Sequence, residues 1–202
     1  MTQKIIITFI ALILSFSVLY SQSYEDLSEM KSPQEKVDLL KSLGDALIRK
    51  NPDSALFYYN EAIVIGKKHN LLKSKSDLYK NIGSVYYYKK DFDKSREYIN
   101  KSIVIAEDIS DFRILKADYN RLGVMDYISH DFEKAIENYQ LCIVNAEKVN
   151  DSAKIVSSNF MIGVCYYQRG NYPEALEYYQ LALTLAEKIN EKQRQSLILT
   201  NI

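Results

Sequence analysis

The sequence predicts an all-α fold built as a stack of antiparallel helix pairs, and two observations carry that prediction. The stretch LGVMDYISHDFEKAIENYQLCIVNAE, Leu122 to Glu147, aligns with IGSVYYYKKDFDKSREYINKSIVIAE, which starts at Ile82, and with IGVCYYQRGNYPEALEYYQLALTLAE, which starts at Ile162. The shift is the same in both directions, and a fixed period of 20–50 residues marks a stacked-repeat architecture. Each repeat also carries two positions for residues that accept a hydrogen bond from an unpaired N–H at a helix start. One series is Asn51, Asp91, Asp131 and Asn171; the other is Asn70, Ser110, Asn150 and Asn190. Two start signals per repeat predict two helices, at about 111–129 and 132–149 in the central unit. The turn between them is so short that the pair runs antiparallel.

Each helix has a recognisable packing face. In the second helix of the central unit Ala135, Tyr139, Cys142 and Ala146 follow the spacing of one helical face. The same face reads Ala55, Tyr59, Ala62, Gly66, then Ser95, Ile99, Ser102, Ala106, and last Ala175, Tyr179, Ala182, Ala186. Small residues alternating with large ones let two helix axes approach closely. In the first helices Gly83, Gly123 and Gly163 recur once per period. A glycine costs about 1 kcal/mol of helix propensity relative to alanine, so its recurrence implies a packing gain that offsets it.

These residues resemble the tetratricopeptide repeat (TPR). The family pattern has a large residue, Leu-Gly three and four positions on, an aromatic three after the Gly, and a small-aromatic-small series in the second helix. Tyr79, Ile82, Gly83, Tyr86 with Ser95, Ile99, Ser102 match it, as do Leu40, Leu43, Gly44, Leu47 with Ala55, Tyr59, Ala62. The resemblance covers residues 33–202 and implies a right-handed TPR-type superhelix. The unit is longer than the common form by more than a helical turn, similar in this to kinesin light chains and bacterial peptide-sensing regulators. The family proline at the repeat junction is missing.

From the N-terminus, residues 1–23 read as a secretory signal peptide: Lys4, an apolar run from Ile5 to Tyr20, then Ser21 to Ser23 as a cleavage region. That run of 16 is short for a membrane span, which favours a cleaved signal over an anchor. Ser32-Pro33-Gln34-Glu35 reads as a capping box with proline at the first helical position. The first helix of unit one is expected to reach about Lys50, and Asn51-Pro52 to open a helix ending near His69. Gly44 lies 39 before Gly83, whereas Ala55 lies 40 before Ser95, so unit one is one residue short in its first half. The units are expected at about 33–69, 71–109, 111–149 and 151–189, with a ninth helix over 191–202. Leu197, Ile198 and Ile202 do not make the polar cap that ends a repeat array, so a continuation beyond residue 202, or docking of that helix, is expected.

Composition excludes some functions. Lys plus Arg and Asp plus Glu number 26 each, so the basic footprint of a nucleic-acid binder is missing. The two histidines, His69 and His130, fall at a helix end and in a turn, where they suit the helix dipole better than catalysis. No Cys/His cluster has metal-ligand spacing, and no cofactor motif is present. Cys142 and Cys165 lie on neighbouring helices and read either as buried free thiols or as a disulfide. Asp126 stands where other units carry Leu47, Tyr86 and Tyr166. It is expected to pair with a tyrosine hydroxyl, to reach solvent, or to serve as a functional carboxylate. No acid, base or nucleophile joins it, so no catalytic site is assigned and the chain is read as a non-enzyme.

The resemblance implies a ligand groove lined by the first helices, at positions three before the glycine, one after it and four after it. These are Lys41, Asp45 and Ile48, then Lys80, Ser84 and Tyr87, then Asn120, Val124 and Tyr127, then Phe160, Val164 and Tyr167. Tyr87, Tyr127 and Tyr167 form a ladder, which either binds an extended peptide or packs between adjacent first helices. Lys80, Asn120 and Arg121 resemble part of the carboxylate clamp of chaperone-binding members, but Val124 stands where that clamp needs Asn, so no clamp is assigned. The expected partner is a protein or peptide segment, with membrane contact only through an uncleaved signal or a later span. The expected function is a scaffold exported to the periplasm or cell envelope, or else the extracytoplasmic sensor of a longer signal-transduction protein with a kinase or DNA-binding output after residue 202.

Overall fold

The structure, a computed structural model, describes residues 32–202; the expected signal peptide at 1–23 lies outside the described residues. Among the described residues there are nine α-helices and no strand: α1 (Pro33–Leu47), α2 (Pro52–Lys68), α3 (Leu72–Tyr88), α4 (Phe92–Asp108), α5 (Phe112–Ile128), α6 (Phe132–Lys148), α7 (Ser152–Gln168), α8 (Tyr172–Lys188) and α9 (Lys192–Leu199). They divide into two compact units after Leu71.

The first unit holds α1 and α2. Ser32 precedes α1, but its side chain makes no capping bond, so the expected capping box does not form. The helix ends at Leu47 rather than about Lys50. Asn51 accepts from the Ser54 N–H at 3.1 Å, and Pro52 opens α2. Val37, Leu40, Ala55, Tyr59 and Ala62 are buried between the helices. Gly44 is required there: a Cβ would lie 2.4 Å from the Tyr59 ring.

The second unit holds α3 to α9. Helices α3, α5, α7 and α9 begin at Leu72, Phe112, Ser152 and Lys192, and α4, α6 and α8 at Phe92, Phe132 and Tyr172. Asp91 and Asp131 cap α4 and α6, accepting from the N–H groups of Lys94 and Lys134 at 3.1 and 3.3 Å. Asn171 precedes α8 without a capping bond.

The second series of expected N-caps is corrected. Ser110, Asn150 and Asn190 have φ of 53°, 54° and 56°, in the left-handed region, as has Asn70 at 53°. They end helices instead of starting them. The residue after each donates back across the turn: Asp111 N–H to the Ala106 carbonyl at 2.8 Å, Asp151 to Ala146 at 2.9 Å, Glu191 to Ala186 at 2.9 Å. This is the Schellman closure. The caps stand one residue later, at Asp111 and Asp151. The last helix, α9, is shorter than the expected 191–202.

Packing inside each pair follows the glycines. A Cβ on Gly83, Gly123 or Gly163 would lie 2.7 Å from Ile99, 2.9 Å from Tyr139 or 2.7 Å from Tyr179. The facing small residues Ala135, Cys142, Ala146, Ala182 and Ala186 are buried. In α4 serines take these places, and their hydroxyls are absorbed by facing carbonyls. Ser95 donates to the Gly83 carbonyl at 2.8 Å and Ser102 to the Ser76 carbonyl at 2.9 Å. These two buried hydroxyls thus find the partners that burial demands.

Candidate binding face on helices α3, α5 and α7

Helices α3, α5 and α7 carry the expected groove residues within one unit. On α3 the Lys80 ammonium pairs with Asp77. Ser84 donates to the Lys80 carbonyl at 3.1 Å and lies 3.3 Å from Arg121 Nη2. The Arg121 guanidinium covers the Tyr87 ring, 4.7 Å from its centre. Ser84 and Tyr87 are therefore drawn together with Arg121 across the α3–α5 seam, one helical turn past Lys80. On the next seam Asn120 accepts from Lys154 Nζ of α7 at 3.3 Å. This face holds cations, amide and hydroxyl groups and aromatic surface, which suits non-covalent recognition.

Four of the remaining expected residues are half-buried against apolar clusters. Val124 and Tyr127 pack against the core around Tyr139 and Ile162, and Val164 and Phe160 against the core around Tyr179. The Phe160 ring lies 5.6 Å from Tyr179. The three ladder tyrosines each rest on the first residue of the helix that follows: Tyr87 on Phe92 at 5.8 Å, Tyr127 on Phe132 at 5.8 Å, Tyr167 on Tyr172 at 5.5 Å. They are staples within a repeat. Tyr167 is 53 % exposed, while Tyr87 and Tyr127 are half-buried. Lys41, Asp45 and Ile48 belong to the first unit, where Lys41 pairs with Asp45 at 3.0 Å.

Asp126 is neither solvated nor paired with a tyrosine. It is buried, accepting from Arg96 at 2.5 Å and from the Asn138 amide at 2.7 Å. The neighbouring repeats carry stacked rings at these positions, Tyr86 on Tyr98 and Tyr166 on Tyr178, both at 5.5 Å. Here Asp126 and Asn138 replace both members of the stack, and Arg96 from α4 supplies the charge that a buried carboxylate needs.

Cys142 and Cys165 are free, buried thiols. Burial pushes the Cys165 thiol up to about 12 and raises Cys142 as well, with the Ser158 hydroxyl pulling the latter back. Neither is a ready nucleophile. His69 stands at the end of α2, and His130 sits in the α5–α6 turn with its ring 5.7 Å from Phe132. Among the described residues no group of three His, Cys, Asp or Glu side chains could hold a metal, and no helix is long and apolar enough to cross a membrane.

Two buried polar groups went unread in the sequence. Asp118 is fully buried, and neither carboxyl oxygen has a hydrogen-bond partner; burial pushes it up to about 7, while Ser102 and Lys80 pull the other way. The Tyr139 hydroxyl is buried without a partner too, and burial raises it well above its ordinary range. The signal for Asp118 was its place in the period, since Leu78 and Ser158 hold the same position one repeat to either side. For Tyr139 it was Val124, one residue past the glycine, where unit one has Asp45.

Tetratricopeptide-repeat family models match residues 76–109 and 113–188, together more than half of the chain. A comparison with curated protein sequences yields no match. Among solved structures, the chain is similar to BtubC from P. vanneervenii, at 17 % identity and a TM-score of 0.73, covering 87 % of this chain and 75 % of that one. It is similar to a Rap protein complexed with Competence and Sporulation Factor, at 18 % and 0.72, covering 89 % of this chain and 50 % of that one. It also resembles a Signal Transduction ATPase with Numerous Domains from Pyrococcus horikoshii that has a tetratricopeptide repeat sensor, at 21 % and 0.74, covering 94 % of this chain and 30 % of that one. The chain thus spans half of the Rap protein and under a third of the ATPase. With its helix pairs and its matched repeats, this chain belongs to the tetratricopeptide-repeat family.

Proposed function

We propose that the α3–α5–α7 face binds an extended peptide or protein segment without chemistry, and that the chain works as a scaffold exported to the cell envelope. One observation carries the binding reading: Ser84 and Tyr87 of α3 meet Arg121 of α5, one helical turn from Lys80. There a peptide finds donors for its carbonyls, cations for its acids and an aromatic surface for its side chains. Export rests on Lys4 and the apolar run from Ile5 to Tyr20. A second reading is the extracytoplasmic sensor portion of a longer signalling protein. Its support is that the Pyrococcus horikoshii ATPase is described as carrying its repeats as a sensor, within a far longer chain.

The test is selection from a random peptide library on phage, using residues 24–202 as bait beside its Lys80→Ala and Tyr167→Ala variants. Enriched peptides should lose about tenfold in affinity on the variants, the loss of one good polar or aromatic contact. Equal binding by all three would remove the face from consideration, and an absence of enrichment would remove peptide binding itself. Export is checked by fusing residues 1–40 to a phosphatase that is active only outside the cytoplasm.

A further inference from the structure

Asp118 occupies a position that Leu78, Ser158 and Ile198 hold elsewhere in the period, and all four are buried. An unpaired ion is among the costliest groups a protein core can hold, and such a group tends to neutralise instead. The charged groups that bear on Asp118 are Asp77 and Lys80 from α3 and Arg121 from its own helix. Lys80 is engaged by Asp77, and Arg121 by Ser84 and the Tyr87 ring. Tyr119, also on α5, donates to Glu107 of α4 at 3.1 Å. The buried side chains of α6 include two that titrate, Tyr139 and Cys142, and burial keeps both protonated and uncharged.

The remaining neighbour is Ser102 of α4, and its geometry decides the form of the acid. The Ser102 hydroxyl donates to the Ser76 carbonyl at 2.9 Å, and the Ser76 hydroxyl returns a bond to the Ser102 carbonyl at 2.9 Å. A Ser102 hydroxyl that donates to the Ser76 carbonyl has no second proton for Asp118, and it pulls the acid down only where it turns that proton to the carboxyl. Turning that proton toward Asp118 would give up the bond to Ser76. The next repeat has the same arrangement with a donor in place. Ser158 and Cys142 are the counterparts there of Asp118 and Ser102, and the Ser158 hydroxyl donates to the Cys142 sulfur at 3.4 Å.

We propose that Asp118 is a neutral carboxylic acid in the folded array, and that loss of its proton loosens the junction of α3, α4 and α5. The array then carries a proton-sensitive element within the field of Lys80 and of Arg121, which joins α5 to Ser84 of α3. Ionisation would put a second carboxylate within the field of Lys80, in competition with Asp77.

The burial that pushes Asp118 up to about 7 fixes the direction of the pH dependence. A carboxyl whose folded value is raised stabilises fully below its ordinary value of 3.8, and that stability is lost as pH rises through about 7. Folding takes up one proton in this window, so the folding equilibrium should fall about tenfold per pH unit. The first test is a carbon-13 carboxyl NMR titration of the unaltered chain: one aspartate should titrate within about a unit of neutrality, and a full set titrating in the ordinary carboxylate range overturns the proposal. The second compares urea stability across the same window for the parent, Asp118→Asn and Asp118→Ser, the last borrowing the residue of the next repeat. The variants should lose the fall between about pH 4 and pH 7. A fall of equal slope in a folded variant overturns the assignment.

Discussion

Tyr59 and Tyr139 have opposite energetic fates, and removing one oxygen from each separates them. Both rings are fully buried against a glycine of the preceding helix, Gly44 or Gly123. The Tyr59 hydroxyl donates to the Asp45 carboxylate at 2.7 Å. Tyr139 faces Val124 in place of that aspartate and its hydroxyl has no partner. A hydrogen bond to a charged group contributes about 1.5–3 kcal/mol, and leaving a buried donor unpaired costs about 1–3 kcal/mol. The Asp45 side chain is 44 % exposed, so water replaces part of what it loses, and Tyr59→Phe should destabilise by about 1 kcal/mol. Tyr139→Phe removes a group that only costs, and should stabilise by up to about 1 kcal/mol. The two variants should differ by about 2 kcal/mol, or about 1 M in the urea midpoint for a slope of about 2 kcal/mol per molar. Far-ultraviolet circular dichroism follows the transition. A third variant, Val124→Asp, should stabilise the parent relative to its effect in a Tyr139→Phe background, because only the parent retains a hydroxyl to meet the new carboxylate. Equal losses from the two Tyr→Phe changes would refute the reasoning.

The glycines give a second contrast. Gly163→Ala should destabilise by about 1–2 kcal/mol, since overpacking costs about 1–3 kcal/mol and outweighs the propensity gained; the new Cβ would sit 2.7 Å from the Tyr179 ring and 3.2 Å from the Ala175 carbonyl. Gly66→Ala meets nothing within 4 Å and should stabilise by about 0.5–1 kcal/mol. Thermal melts of both variants check the pair of signs. Asp126→Ala should cost about 2–3 kcal/mol by stranding Arg96 and Asn138, somewhat reduced because Arg96 is one-third exposed. The double change Asp126→Tyr with Asn138→Tyr should recover most of that loss by restoring the stack of the flanking repeats, and a double variant no better than Asp126→Ala would show that the rings are not interchangeable with the ion pair.

Much of this fold was written in the period. The helix pairs, the glycine crossings and the small faces of Ala135, Cys142 and Ala146 follow from spacing, because a face that recurs at a fixed interval must meet the same neighbour each time. The left-handed residues were misread for a physical reason: Asn and Ser serve both as N-caps and, for Asn especially, as residues tolerant of positive φ. One series therefore looked like the other until the backbone separated Asn150 from Asp151. On the candidate face the positions were legible but their partners were not. Whether Arg121 lies over Tyr87 or reaches solvent depends on side-chain torsions that no spacing encodes. The Asp126–Asn138 exchange was visible as two departures from the period in one repeat, yet Arg96 had to be placed in space before they made one motif.

The left-handed residues at Lys90, Ser110, His130, Asn150, Gly170 and Asn190 have a consequence for how such a chain can change over time. Each is a welded corner of fixed angle, spaced by one helix length from the next. Deleting a single residue between two corners swings everything past it by about 100° around the helix axis and turns the buried side outward. Removing or adding one complete pair of rods returns the side chains to their old bearing. Length variation in this second unit is therefore expected in whole modules, with each surviving corner carrying its own geometry intact.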